Sequence, residues 1–557
     1  MLVLKKVYRY IFDNYLKWSD LTLIGFLNRK LEFKLGKNID KFNNINLDNV
    51  KLYFTKNTMT EGNVEKVLLV ETMHTHATAM VHINIMRLLL SATSKTRSIG
   101  YSNFNEPAIR RLNSAFGINE YVTIYKVFNL KIVFLSILKT FKTLMSNSKF
   151  TTYKNISVLI DDVNIGEQIY DQFLRKELHG SYRRKTLKYF FYIYRGCYYY
   201  YSSKEILKKL NVTDIIVNNT VYTNGILIKA CSNLNRNVNV WCTENSSFDQ
   251  FSISRTKTSE CILEIPNCRR FQDKYYMKLL NDFSQEQLDT TFDQSINRGL
   301  SWEEKIKATD LSKIEDFDVY NYDKNRKNVF IFSHAFNDDV RHANNIIYAD
   351  YYIWLIETLN ILSENNNINI FVKPHPSEFR YSYEENSENV IKEVLKKTPS
   401  AKIFYITNNI NKNLLYSFAD SIVTVCGSIG LEAPCYGVPV ITAARGTYYE
   451  AETTINSENI REYENNLTNI HLINSISIEN ISKAKIVYIF ASILRYVDFG
   501  FDLNKELTND VERFRLVNEN FKDFKKIKDT QLYKLYLEMI NNKFDEFINV
   551  DVIKNEL

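Results

Sequence analysis

Ile368-Asn-Ile-Phe-Val-Lys373, followed at once by Pro374-His375-Pro376, decides the fold. Six residues, four of them apolar, are too few for a globular helix, and Ile370-Phe-Val372 is too unbroken for a half-exposed strand. They read as a strand buried on both faces. The two prolines stop it and fix the backbone on either side of the histidine. The same texture recurs around it: NVFIFS (328–333), KIFYI (402–406), SIVTVC (421–426) and VPVIT (438–442). Helical patterns lie between, over 348–362, over 383–397 and from Ser428. Strands alternating with helices predict a parallel sheet covered on both faces.

Working outward, the alternation also runs through the first half. KVLLVE (66–71), RSIGY (97–101), ISVLI (156–160), DIIVNN (214–219) and VNVWC (238–242) read as strands. Helical patterns cover 78–90, 107–116, 166–176 and 222–234. The expected fold is α/β, with two Rossmann-like doubly wound parallel-sheet domains facing a cleft, which is a GT-B-like architecture. Its parts are a helical N-terminal extension (1–60), a first Rossmann-like domain for the acceptor with a connector (61–300), a second for the donor (325–477) and a helical C-terminal segment (478–557). Ligands in such sheets bind outside the carboxyl ends of the strands.

The 557 residues are 45% hydrophobic and 24% charged, ordinary globular values that exclude a disordered chain or a fibre. A net charge of +7, with no dense basic run, gives no reason to expect nucleic acid as a partner. Seven scattered cysteines without a CxxC pair predict neither a zinc site nor a disulfide framework, and fit a cytoplasmic setting. The start of the chain has no signal-peptide pattern, and no stretch is long and apolar enough to span a bilayer. VFNLKIVFLSILKTFKTLM (127–145) comes closest, interrupted by Lys131, Lys139 and Lys142. It reads either as a buried amphipathic helix or as a basic helix lying peripherally on the inner face of the cell membrane.

Five constellations can carry chemistry. In Lys373-Pro-His375-Pro376 a presented imidazole can hydrogen-bond a phosphate oxygen or protonate a leaving phosphate; the bland reading is a turn with an incidental histidine. In Gly427-Ser428-Ile429-Gly430-Leu-Glu432 a glycine and an N-cap serine open a helix, a ready anion site, with Glu432 one turn on for ribose hydroxyls; the bland reading is an ordinary capped helix. His334 ends the strand at 328–333, with Asp338 and Asp339 either capping the next segment or binding acceptor hydroxyls or a divalent ion. Asp161-Asp162 after ISVLI are either a turn or a paired-carboxylate general base. Glu71, His74 and His76 form a loop after the first strand, better suited to an acceptor than to a metal, because no further ligand has the right spacing.

Lys373-Pro-His-Pro376, with Ser417 to Pro439 (SFADSIVTVCGSIGLEAPCYGVP), resembles bacterial capsule and surface polysaccharide biosynthesis proteins of GT-B type, among them the HP-motif sialyltransferases and the capsular Kdo transferases. CDP-glycerol polymerases are more distantly similar. The resemblance implies a glycosyltransferase with a nucleotide-sugar donor, CMP-sugar favoured, a glycan or lipid-linked acceptor and no cofactor or metal. It makes His375-Pro376 the HP motif, Gly427-Ser428 the serine motif and Asp161-Asp162 the acidic motif, with Val163 where that motif has glycine. Gly427 to Pro434, together with Gly437-Val-Pro-Val-Ile441, also looks like the UDP-N-acetylglucosamine 2-epimerases. A catalytically degenerate GT-B scaffold is the non-enzymatic alternative.

Overall fold

The computed structural model describes residues 45–556, except 59–62, 74–75, 104–106, 125–128, 147–156, 182–186, 235, 244–249, 259–272, 299–316, 339, 341–342, 344, 381–384, 407–411 and 499–509. Most of the expected extension 1–60 falls outside these residues, as do His74 and Asp339.

Two six-stranded sheets organise the chain. The first holds β1 (Lys66–Glu71), β2 (Thr96–Ser102), β3 (Glu120–Thr123), β4 (Asp214–Val217), β5 (Asn239–Cys242) and β6 (Ser254–Lys257), in the spatial order β3-β2-β1-β4-β5-β6. All its neighbours are parallel except β5 and β6. The second holds β7 (Lys327–Phe332), β8 (Ile368–Lys373), β9 (Ile403–Tyr405), β10 (Ser421–Thr424), β11 (Val440–Thr442) and β12 (Ile455–Asn456), in the order β9-β8-β7-β10-β11-β12 and wholly parallel. Both therefore have the doubly wound order, which reverses between β1 and β4 and again between β7 and β10. Each reversal leaves a crevice at the carboxyl ends of the strands.

Burial on both faces explains the apolar runs. In β7 and β8, Phe330 and Phe371 point to one face and stack at 4.9 Å, in a cluster with Phe317 and Phe418. Their neighbours Val329, Ile331, Ile370 and Val372 point to the other face, into a cluster with Trp354, Leu355 and Leu359.

Two expectations change. ISVLI does not join the parallel sheet: Leu159–Ile160 pairs back on Val163–Asn164 as an antiparallel hairpin. The C-terminal segment is not a separate unit. Its Phe514, Val517, Phe521, Leu535 and Tyr536 share a core with Leu68, Val70, Ile216 and Trp241 of the first sheet. Val497 pairs with Phe251, and Asn518 accepts the Asn49 amide at 2.9 Å. The second domain is thus an insertion within the first.

The two sheets present their carboxyl ends to each other. Asp338, after β7, ion-pairs with Arg175 of the first domain at 2.8 Å and accepts a hydrogen bond from the Tyr222 hydroxyl at 3.3 Å. Asp350 is fully buried, caps the helix Tyr351–Ser363 through the Ile353 amide (2.8 Å), and accepts the Tyr170 and Ser181 hydroxyls at 2.7 Å each. The Gly180 amide donates to Glu385 at 2.8 Å.

Candidate functional site

The site is built from strand ends. In the second sheet β8 and β10 flank β7, so the strands that lead into the Pro374-His375-Pro376 loop and the Gly427-Ser428 turn are two strand spacings apart, about 10 Å. The Ser333 amide bonds to the Lys373 carbonyl at 2.9 Å, extending the β7–β8 pairing into the loop. Pro376 opens a short helix, Pro376–Arg380, where a proline fits because the first amide has no helical partner. His375 behaves as its N-cap: Nδ1 accepts the Ser377 amide at 3.2 Å and also contacts the Ser377 hydroxyl. An accepting Nδ1 puts the neutral ring's proton on Nε2.

Beneath this loop lies a carboxylate that sequence reasoning missed. Glu378, buried, accepts the Ser387 amide at 2.7 Å and its hydroxyl at 2.8 Å. Ser387 reaches Ser333 at 3.3 Å, tying the ends of β7 and β8 to the next helix. Burial pushes the Glu378 carboxyl above its ordinary value, against the pull of the Ser387 hydrogen bonds. Its only sequence signal is a glutamate three residues past a strand-end histidine.

At β10 the chain turns through Gly427 into one α-turn, Ile429–Glu432, continued by the 3-10 turn Ala433–Tyr436. Ser428 is already helical, at φ −57° and ψ −22°, and makes no side-chain cap. The capping expected of Ser428 is therefore absent, and Thr424 Oγ1 instead accepts the Gly427 amide at 3.3 Å. Gly430 is required by packing, because a Cβ there would lie 2.3 Å from the Tyr448 ring and hydroxyl. The Tyr448 hydroxyl in turn donates to the Gly427 carbonyl at 3.0 Å. Glu432 is buried, and one carboxylate oxygen accepts the Tyr416 hydroxyl at 3.0 Å.

His334 is buried and stacks on Tyr351 at 4.4 Å. Its Nε2 sits 3.1 Å from the Thr424 hydroxyl and 3.4 Å from the Cys426 amide. It therefore bridges β7 to β10 at the switch point.

In the first sheet the expected acidic pair lies elsewhere. Asp161 and Asp162 have φ of 50° and 67°, as a two-residue hairpin turn of this kind needs. Asp161 pairs with Lys204 at 2.7 Å, and its carbonyl accepts the Asn233 side chain at 2.9 Å. Both partners lie toward the carboxyl ends of helices that run back along the sheet, so the pair stands at the amino ends of the strands, away from the crevice. The carboxylate at the first switch point is Glu71: it ends β1, is buried, and accepts the Asn218 amide from the end of β4 at 2.8 Å. Around it, Thr72 donates to the Tyr101 carbonyl at 2.8 Å, and the Tyr101 hydroxyl reaches Asn224 at 3.1 Å. Burial and the Glu71 charge hold that phenol well above its usual value. His76 is exposed, 3.4 Å from Arg513. Among the described residues, no three histidine, cysteine or carboxylate side chains gather as a metal site.

No family model and no curated protein matches the chain. Among solved structures it is similar to a KpsC beta Kdo 2,7 transferase of Thermosulfurimonas dismutans: 15% identity, 57% of this chain and 90% of that one, TM-score 0.29. It is also similar to the UDP-GlcNAc 2-epimerase of Neisseria meningitidis: 13% identity, 77% and 97%, TM-score 0.23. A third is Anabaena HepE in complex with UDP and glucose: 11% identity, 82% and 97%, TM-score 0.24.

Proposed function

We propose that the chain is a glycosyltransferase of surface-polysaccharide assembly. It moves a sugar from a nucleotide-activated donor, a CMP-sugar by preference, to a hydroxyl of a glycan or lipid-linked acceptor. The observation that carries this reading is the fixed imidazole of His375, capping its own helix through Nδ1 at a strand end beside the switch point. In this reading the donor phosphate lies between the PHP loop, with Lys373 and Pro376, and the turn at Gly427, Ser428, Ile429 and Gly430. The acceptor oxygen bonds to the anomeric carbon as the bond from that carbon to the phosphate oxygen breaks. The electron pair leaves on the phosphate, where Nε2–H of His375 meets it. Lys373, the Ser428 and Ile429 amides and the imidazole supply the positive field that a metal would supply elsewhere. The acceptor proton goes to Glu71, which takes the role expected of Asp161 or Asp162.

Melting temperature with CMP, CDP, UDP or GDP tests this. A ligand that binds only the folded state at 100 times its Kd adds about 2.7 kcal/mol. CMP or CDP should raise the melting temperature, and His375→Ala should remove the rise. Glu71→Gln should keep the rise and abolish transfer. A response to UDP alone favours the epimerase-like alternative, and no response to any nucleotide favours a scaffold.

A further inference from the structure

The helix Leu130–Ser146 is amphipathic with its apolar side turned outward. Leu130, Phe134, Ile137, Leu138, Phe141 and Met145 recur at helical spacing as one stripe and are all exposed, Leu130 at 75%, Phe134 at 65% and Met145 at 80%. The inward side carries Ile132, Ser136, Thr140 and Thr143, all buried. The Ser136 and Thr140 hydroxyls bond back to carbonyls of their own helix at 2.7 and 2.6 Å. Packing against the core uses this face together with the half-buried Val133 and Leu144, while Phe141 reaches Phe190 of the helix Leu187–Lys209 only at its rim, 5.5 Å between rings. An outward stripe of this size marks an interaction surface.

Charge identifies the occupant. The helix has three lysines and no carboxylate. Lys131 and Lys142 each follow a stripe residue by one position, so both border the same edge of the stripe, and both are exposed. A row of large apolar side chains with cations along its edge, about 25 Å long, fits the boundary between acyl chains and anionic headgroups.

We propose that this helix docks the protein in-plane on an anionic phospholipid bilayer. No helix among the described residues is long and apolar enough to cross one. The docking stands on the helix alone, so it survives or fails independently of the transferase reading.

The experiment is flotation of the purified chain with vesicles of phosphatidylcholine, with and without about 30% phosphatidylglycerol. The chain should float with the anionic vesicles and not with the neutral ones. Phe134→Ser with Phe141→Ser should lower the bound fraction about ten-fold, and Lys131→Glu with Lys142→Glu should do the same. Because these side chains are exposed or rim-packed, the melting temperature should stay nearly constant in both double variants. Absence of flotation with anionic vesicles overturns the proposal, as does undiminished flotation of the phenylalanine variant. So does a wild-type dimer in solution that becomes monomeric in that variant, since the stripe would then join two copies.

Discussion

At the scale of single residues, Glu378 makes a pH prediction. Its carboxyl is raised above its ordinary value by burial, so the fold favours the protonated form. That contribution is fully present below the unfolded value and is lost as pH rises through the folded one. Glutamine cannot ionise, and its oxygen still accepts the Ser387 amide. Glu378→Gln should therefore gain melting temperature relative to the wild type as pH rises above the ordinary carboxylate range, where the buried carboxyl of the wild type must ionise. A gain that shrinks as pH rises would mean that the Ser387 hydrogen bonds outweigh burial. Position is what separates His334 and His375, the two strand-end histidines of the second domain. Both end strands, but His334 is locked between Thr424 and Cys426, whereas His375 is held by its own Ser377. The sequence shows both residues and the strand ends they occupy, but not this difference, because it depends on where β10 lies relative to β7.

At the scale of elements, the strands buried on both faces are legible because a continuous apolar run leaves no polar face for solvent and so demands cover on both sides. The strands that escape are β3 (EYVT), β6 (SRTK) and the two-residue β12, which are polar, short and at or near sheet edges. ISVLI misleads because an apolar run does not show its partner; the informative residues are the two aspartates that follow, both in the left-handed region. The pair that follows this run stands at the amino ends of the strands, away from the crevice. The turn after β10 gives a packing prediction. Gly430→Ala should cost about 2 kcal/mol in urea denaturation, because the added methyl meets the buried Tyr448 ring. A loss below about 0.5 kcal/mol would show that the turn and Tyr448 can separate freely.

At the scale of the whole molecule, the two domains share a buried apolar cluster that takes in Phe173 of the first and Phe336 and Tyr352 of the second, with charged and polar contacts at their facing ends. Asp350 is the most buried of these, with one cap and two hydroxyl donors from the other domain. Asp350→Ala should lose about 3 kcal/mol, by the sum of a lost cap and two hydroxyls left without an acceptor. Chemical denaturation followed by tryptophan fluorescence would measure it: Trp354 sits in the second domain and Trp241 in the first. An unchanged midpoint would mean that the remaining contacts, Arg175 with Asp338 among them, hold the domains without it.

The C-terminal helices that finish the first domain bear on how the chain is made. Every strand of the second sheet lies within 327–456, one continuous stretch, while the first domain's core needs side chains from Leu68 to beyond Tyr536. On the ribosome the second domain, once the helix Ile478–Ile489 covers its Leu431, Cys435 and Tyr448, has its parts before the first does, reversing the usual order in which domains mature from the amino end. Until the last helices emerge, the faces around Leu68, Val70 and Trp241 wait uncovered, and a chain stopped near residue 500 should expose the first domain to proteolysis while leaving the second domain protected.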